Sequence, residues 1–370
     1  MNRLKRLCVV LMCFGFSLVY AAAQTQPAAS PPAAAPTPPL PPGKTDPAPL
    51  PDPQTPEEFF ARARALSDLE ASGISFHLKA TYVASGDTEF TGNGTYEEWW
   101  QSKDLWRKEA ALGDYRYVAI ENDGKPSVHV TSTYIPLRLR QMLDAVVIRI
   151  TPGSGSARDW KLKHKKMNGV DLSELSVERP CGISGKCVAA DYFSTQGLLR
   201  IHVDDLAQKL YNEFQEFHGV SIPRSIVMAG VAGPMLTISV TSVEPLTPSE
   251  SQLLQGSATS PDLPLILLPS VDNQKELMSD KVTRSRITDQ IAPIYPRAAA
   301  QKQLEGTVVI EATIDEDGRV REPFIISSPG PLLDMAAMDA VKRWRFRPLF
   351  INGVPICVET TMTVAFHYRP

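Results

Sequence analysis

Residues 305–327 read EGTVVIEATIDEDGRVREPFIIS, and this stretch decides the fold of the C-terminal part of the chain. Apolar and polar residues alternate over 306–314, an acidic turn follows at 315–318, and a second strand-like segment covers 319–327. Two such segments joined by a tight turn that ends in glycine are typical of an antiparallel β-hairpin. We therefore expect a hairpin that buries one of its faces.

The segments on either side of the hairpin complete a small domain. A short helix is predicted over 296–303, and residues 358–368 alternate as a third strand would. Between hairpin and strand, apolar residues recur at the spacing of one helical face. These residues are Leu333, Ala336, Ala337, Ala340, Val341 and Trp344. The order helix, hairpin, helix, strand predicts a small α+β domain with two helices and a three-stranded antiparallel sheet.

Motifs in this region resemble those of the TonB C-terminal domain family. In chain order they are PIYP at 293–296, EGTV at 305–308, DEDGRV at 315–320, WRFRP at 344–348 and NGVP at 352–355. The resemblance covers about 291–368 and implies the two-helix, three-strand fold of that family. It also implies that domain's role, which is to grip a short peptide of an outer-membrane transporter by adding it to the edge of the sheet.

The resemblance, carried over by position, implies where a partner would bind. The docking edge would be the terminal strand at 361–367, because a three-stranded sheet leaves unpaired edges that can template strand addition. The residues expected to contact the partner are Thr361, Thr363, Ala365, His367, Tyr295 and Pro296. For Tyr295, a place in the core is an equal alternative. Trp344 and Phe346 are expected to be core residues.

Two features depart from the TonB proteins that transmit energy, which keep an uncleaved membrane anchor containing a histidine. The apolar segment 7–23 contains no histidine, and a long β-rich region, 57–245, separates the N-terminal part from the terminal domain. The resemblance therefore supports a binding module and leaves energy transduction open.

The region 57–245 opens with a helix predicted over 56–69, after which the sequence shows the two-residue period of β-strands. Short strands with turn residues about every 8–12 positions indicate an all-β antiparallel meander or barrel. The phrases TYEEWW at 95–100, LWRKE at 105–109 and FHGVSIP at 217–223 resemble LolA-like open β-barrels, which carry lipoproteins or lipids in the periplasm. That resemblance implies an open half-barrel with an apolar concave face, and a solid interior is the alternative.

The N-terminus has the pattern of a secretory signal peptide. A basic start precedes an apolar segment that ends in small residues, so 1–23 is predicted to be cleaved after Ala23. An uncleaved anchor through 7–23 is the alternative. With a cleaved signal peptide or with an uncleaved anchor, the protein is expected in the periplasm or cell envelope.

Two linkers divide the remaining chain. Of the 32 prolines, 13 lie between Gln24 and Pro56, and such a run favours extended polyproline II. A second linker is predicted over 246–286, from which residues 265–268 are expected to pack back on one of the domains. The C-terminal domain then occupies 287–370.

Composition and motifs exclude several classes of function. The net charge of −3 gives no basic face for nucleic acid, and the six histidines are scattered. Zinc-protease, dinucleotide, P-loop and nucleophile-elbow motifs do not occur, so no catalytic residue, metal or cofactor is predicted.

The cysteines are the last feature that the sequence offers. Cys181 and Cys187 flank a glycine-bearing loop and are predicted to form a disulfide in an oxidising compartment. Cys357 is expected to pack as a small apolar residue.

These features predict an exported, non-enzymatic binding protein of the cell envelope. Its TonB-like domain would dock a peptide segment of an outer-membrane or envelope partner, in a role related to transport. The alternative is a periplasmic carrier that holds lipid or lipoprotein in the β-rich domain.

Overall fold

The structure is a computed structural model that describes residues 53–124, 126–150, 159–181, 185–204, 207–230, 233–256, 263–266 and 284–368. For 179–181, 185–187, 204, 255 and 256 it describes the backbone only. The predicted signal peptide and most of the proline-rich segment lie outside these residues and stay predictions. No helix within the described ranges is long and apolar enough to cross a membrane.

Helix α1, Pro56–Ser67, begins where the sequence predicts. The side-chain oxygen of Thr55 accepts a hydrogen bond from the backbone N–H of Glu58 at 3.3 Å, and the Glu58 carboxylate accepts one from the N–H of Thr55 at 3.2 Å. This reciprocal capping box, together with proline in the first turn, sets the start of the helix.

The β-rich region contributes thirteen strands to one sheet. The strands before helix α2 are β1 Phe76–Ala84, β2 Gly92–Ser102, β3 Leu105–Leu112, β4 Tyr115–Asn122 and β5 Ser127–Val130. Helix α2 is Leu137–Ala145. The strands after it are β6 Lys161–Met167, β7 Val170–Cys181, β8 Gly185–Ser194, β9 Leu199–Asp204, β10 Ala207–Phe217, β11 Val220–Gly230 and β12 Gly233–Glu244. Helix α3, Pro248–Gly256, and strand β13, Leu265–Ile266, complete the region.

All these strands pair in an antiparallel manner, in the order β13-β5-β4-β3-β2-β1-β12-β11-β10-β9-β8-β7-β6. Two meanders therefore meet along the β1–β12 pair, where Tyr82 lies opposite Ile238. Within the described ranges the end strands β13 and β6 have one neighbour each, so the sheet is open. The predicted all-β, antiparallel and open middle region is confirmed.

One face of the sheet carries the main hydrophobic core, and helices α1 and α2 pack on it. From α1, the Phe60 ring meets Trp160 edge-on with 5.3 Å between ring centroids. From α2, Leu139 and Met142 are each 0% exposed. Full burial of one such side chain stabilises a fold by about 1.5–3 kcal/mol. The chain's own helices therefore cover this apolar face.

The opposite face carries helix α3, which lies in the stretch predicted to be a linker. The ring of His77 stacks on Trp99 with 4.6 Å between centroids, and its Nδ1 lies 2.8 Å from the Glu250 carboxylate of α3. Thr247 and Glu250 form a second capping box. Beyond α3, Leu265 and Ile266 pair with β5, so these two residues pack back on the β-rich region as expected.

A partly buried ionic network joins the segments that follow α1 and α2 to the sheet. The Glu70 carboxylate accepts a hydrogen bond from Arg149 Nη2 at 2.7 Å and lies 3.4 Å from Lys108 Nζ. Lys108 Nζ also lies 3.0 Å from the carboxylate of Glu98, which is 0% exposed. Burial by itself raises the pKa of Glu70, but hydrogen bonding and charge from Arg149 and Lys108 outweigh it and hold that pKa below its usual value.

This network predicts a pH-dependent contribution to stability. A carboxyl group whose pKa is lowered by folding stabilises the fold above its unfolded pKa, and that contribution is lost as the pH falls through the folded pKa. We expect Glu70→Gln to lower the melting temperature near neutral pH, and the difference from the wild type to shrink below about pH 4. Thermal unfolding of both proteins at several pH values tests this. A difference that stays constant with pH would contradict the role given to Glu70.

The C-terminal domain has the predicted α+β architecture. In chain order its elements are β14 Ile287–Asp289, α4 Arg297–Gln301, β15 Gly306–Ile314, β16 Val320–Ser327, α5 Pro331–Val341, β17 Arg345–Phe346, β18 Leu349–Ile351, β19 Val354–Ile356 and β20 Val358–Phe366. The main sheet has the predicted three antiparallel strands, and their order is β16-β15-β20. The pairs β14–β17 and β18–β19 were not predicted, because strands of two or three residues are too short to show a period.

Helix α5 and the three-stranded sheet share one hydrophobic core. Val308 and Ile310 of β15 and Leu333 and Ala337 of α5 are all 0% exposed. Trp344 and Phe346 are each 3% exposed, which confirms both as core residues. The Trp344 indole N–H also donates a hydrogen bond to the carbonyl of Ile291 at 2.8 Å.

Candidate partner-binding edge

Strand β20 forms one edge of the three-stranded sheet. It pairs with β15 over nine residues without a register shift, from Phe366 opposite Gly306 to Val358 opposite Ile314. Within the described part of the chain, β20 has no second neighbour. A regularly paired strand with an unpaired edge is the geometry that strand addition requires.

The other edge of this sheet, β16, is much less regular. Its pairing with β15 contains two register shifts, and Glu322 adopts a φ of 43°. Phe324 packs against the core of the β-rich region. β16 is therefore bulged and partly covered, and β20 is the edge better suited to accept a strand.

The residues of β20 divide between two faces. The core-facing residues are Val358, Thr360, Met362, Val364 and Phe366, all buried. On the other face, the predicted contact residues Thr361 and Thr363 are half-buried, while Ala365 is exposed. His367 follows the strand and is exposed. The structure thus places these four predicted residues along one edge.

Thr363 has a partner that the sequence did not reveal. Arg284, which precedes the C-terminal domain, donates a hydrogen bond from Nη2 to the Thr363 hydroxyl oxygen. A lone arginine in a predicted linker carries no spacing signal, so only the structure shows this contact. It brings the segment before β14 next to the candidate edge.

Tyr295 lies at the far end of the strand, near Phe366, and Pro296 follows it in the chain. The Tyr295 ring meets Phe366 edge-on with 5.8 Å between centroids, and its hydroxyl donates to the Leu304 carbonyl at 2.5 Å. Partial burial raises the pKa of Tyr295. Pro296 precedes α4, and its carbonyl accepts a hydrogen bond from Ala300 N–H at 3.0 Å. Both side chains are half-buried, so Tyr295 packs on the core while keeping part of its ring at the surface.

The acidic turn of the hairpin has a structural role. The Asp315 carboxylate accepts hydrogen bonds from the backbone N–H groups of Asp317 at 3.0 Å and Arg319 at 2.8 Å. Such bonds are typical of an aspartate that stabilises its own turn. Over the described ranges, no group of three or more His, Cys, Asp or Glu side chains is arranged to hold a metal ion.

The predicted disulfide falls on side chains outside the described residues. The backbone pairs Cys181 with Gly185 and Cys187 with Arg179 across the β7–β8 hairpin. We expect the bond in the exported protein, so thiol labelling after denaturation without reductant should leave both cysteines unmodified. Cys357 serves as the internal positive control, because it is a free thiol that denaturation exposes. Labelling of either Cys181 or Cys187 would contradict the bond.

Comparison with known proteins confirms the resemblance at the C-terminus. The family described as Gram-negative bacterial TonB protein C-terminal matches residues 291–369. Protein TonB of Vibrio cholerae is 33% identical over 81 residues, which cover 22% of this chain and 33% of that protein. Protein TonB of Pseudomonas aeruginosa is 32% identical over 75 residues, covering 20% of this chain and 22% of that protein. The chain thus spans a third or less of these relatives, and the shared part is the terminal domain.

Two solved structures align with the β-rich region at low scores. A LolA superfamily protein from Nitrosomonas europaea aligns with a TM-score of 0.33 and 13% identity, covering 54% of this chain and 97% of that one. A putative outer membrane lipoprotein-sorting protein domain from Vibrio parahaemolyticus aligns with a TM-score of 0.27 and 12% identity, covering 54% and 96%. These TM-scores are too low to support an argument about the fold. The architecture of the β-rich region is therefore taken from its own strand pairing.

Proposed function

We propose that the protein is an exported binding protein of the cell envelope whose C-terminal domain captures an extended peptide segment of an outer-membrane or envelope partner along β20. The observation that carries the proposal is the uninterrupted edge of β20, whereas the opposite edge of the same sheet, β16, is bulged and partly covered. The match of 291–369 to the TonB C-terminal family supports an envelope setting related to transport. Binding, rather than catalysis, is the proposed activity.

Capture by strand addition would draw affinity from backbone hydrogen bonds and specificity from side chains. The exposed Ala365 and His367, together with Thr361 and Thr363, would contact the incoming strand. Tyr295 would contact its end, because the ring already lies against Phe366.

Crosslinking in cells tests this proposal. A photo-reactive amino acid at Ala365 should capture an envelope protein, which mass spectrometry then identifies. The matched control is the same probe at Met335, which is 68% exposed on helix α5. Capture from Ala365 alone supports the edge, whereas equal capture from both positions, or capture from Met335 alone, contradicts it.

A second candidate function, carriage of lipid or lipoprotein, is favoured by the open sheet with one continuous apolar face. That face is packed against α1 and α2, so a bound acyl chain would have to displace a helix. Organic extraction of the protein purified from cells, followed by mass spectrometry, tests this candidate. Lipid in a fixed molar ratio supports carriage, and a lipid-free folded protein argues against it.

Export belongs to the same proposal. The mass of the protein purified from the periplasmic fraction should lack residues 1–23. Recovery of the intact chain in the membrane fraction would instead support the anchor.

A further inference from the structure

The C-terminal domain and the β-rich region meet at a built interface. Glu322 of β16 is only 6% exposed. Its carboxylate accepts hydrogen bonds from the backbone N–H of Leu137 at 2.5 Å and from that of Glu89 at 3.2 Å. Next to it, Arg321 lies 2.8 Å from the Glu89 carboxylate and 5.4 Å above the ring of Tyr134.

Leu137 is the first residue of helix α2, and this helix has no cap of its own. Its N-cap residue is Pro136, which makes no side-chain capping bond, and the first turn contains no acidic residue. The first N–H groups of a helix need acceptors, and a carboxylate there is favourable both as a cap and toward the helix dipole. Glu322 supplies that carboxylate from a distant part of the chain.

The backbone of Glu322 supports a specific role. Its φ of 43° lies in the left-handed region, which is uncommon for glutamate. The bulge in β16 at this point aims the side chain out of the C-terminal sheet. Strained residues of this kind persist where surrounding contacts hold them.

A second contact ties α2 to the C-terminal sheet one turn further along. Arg140 Nη1 lies 2.7 Å from the Glu359 carboxylate of β20 and 3.5 Å from that of Glu311 on β15. The Arg140 side chain is 13% exposed and that of Glu359 is 40% exposed, so the contact is shielded from water on the side of the helix.

The remaining face of α2 belongs to the β-rich core. Leu139, Met142 and Ala145 are each 0% exposed and lie in the same hydrophobic cluster as Ile226 and Ile238 of the large sheet. One short helix is thus shared between the two parts of the chain.

We propose that the C-terminal domain acts as a clamp on helix α2, through Glu322 and Arg140, and that separation of the domain loosens α2 and uncovers the apolar face of the large sheet. This inference does not depend on peptide capture at β20. Helix α2 is then a lid on the apolar face, and the C-terminal domain holds this lid closed.

Hydrogen exchange of the full chain tests the clamp. We expect Glu322→Ala to accelerate exchange in Leu137–Ala145 by roughly tenfold, because its cap is lost, while Val220–Gly230 in β11 keeps its rate. Binding of an apolar fluorescent dye should rise in the same variant. The matched control, Asp339→Ala, removes an exposed carboxylate of the same domain and should change neither readout.

Two results would overturn the clamp. One is unchanged exchange in α2 of Glu322→Ala, and the other is equal acceleration in α2 and β11, which would mean general destabilisation. If Glu322→Ala does not fold, Arg140→Gln is measured by hydrogen exchange and dye binding instead. This substitution removes the second contact by changing its residue on helix α2. Faster exchange confined to α2 supports the clamp, and unchanged exchange refutes it.

Discussion

Thr363→Pro is expected to weaken partner capture by about tenfold or more, whereas Thr363→Ala should leave most of it intact. Thr363 lies in the middle of β20, opposite Val309 of β15. Proline removes a backbone donor and disturbs the strand, while alanine keeps that donor and removes the hydroxyl that Arg284 contacts together with one methyl group. Capture is measured as crosslinking yield from the probe at Ala365.

The proline could also unfold the domain, so the melting transition must be measured in the same samples. A loss of capture with an intact transition supports β20 as the docking edge. If Thr363→Pro folds and captures as well as Thr363→Ala, the terminal strand is not the edge. The region around Tyr295 and Pro296 would then be the better candidate.

Gly318→Ala is expected to destabilise the C-terminal domain severely, by about 3 kcal/mol or more. Gly318 has a φ of 77°, and an added Cβ would lie 1.9 Å from the carbonyl oxygen of Phe346. The carbonyl of the same glycine accepts a hydrogen bond from Phe346 N–H at 2.9 Å. Moving the hairpin turn away from Phe346 to make room for the Cβ would therefore break this hydrogen bond. Thermal unfolding of the full chain should show the C-terminal transition lowered by more than about 10 °C.

Gly353→Ala provides the matched control for this prediction. Gly353 has a φ of 81°, but an added Cβ there meets nothing within 4 Å. The free energy of unfolding should fall only by the strain of placing alanine in this backbone conformation, about 1 kcal/mol. Equal destabilisation by the two substitutions would contradict the close packing of the hairpin turn against β17.

Much of the fold could be predicted because its elements are long enough to show a period. The hairpin of β15 and β16 and the face of α5 follow from alternation and helical spacing alone. Helix α3 was missed although Thr247 and Glu250 stand at capping-box spacing, because the surrounding prolines indicated a linker.

The interface between the two parts of the chain could not be predicted. Glu322 and Arg140 look like ordinary surface residues in the sequence, since neither stands at a spacing that indicates a buried partner. Their role depends on a bulge in β16 and on an uncapped helix more than 180 positions away. Likewise, the residues of β20 do not show which edge of the sheet stays regular, because that depends on the pairing of β16.

Hydrogen exchange of the backbone amides in β20, with and without the captured partner, tests the central claim most directly. Alternate amides of an edge strand point away from its neighbour, and those directed toward β15 are already bonded. Strand addition at β20 predicts that only the outward amides of Val358–Phe366 gain protection, while those of Val320–Ser327 in β16 do not change. Protection gained in β16 instead, or no added protection in β20 with the partner bound, would contradict docking at this edge.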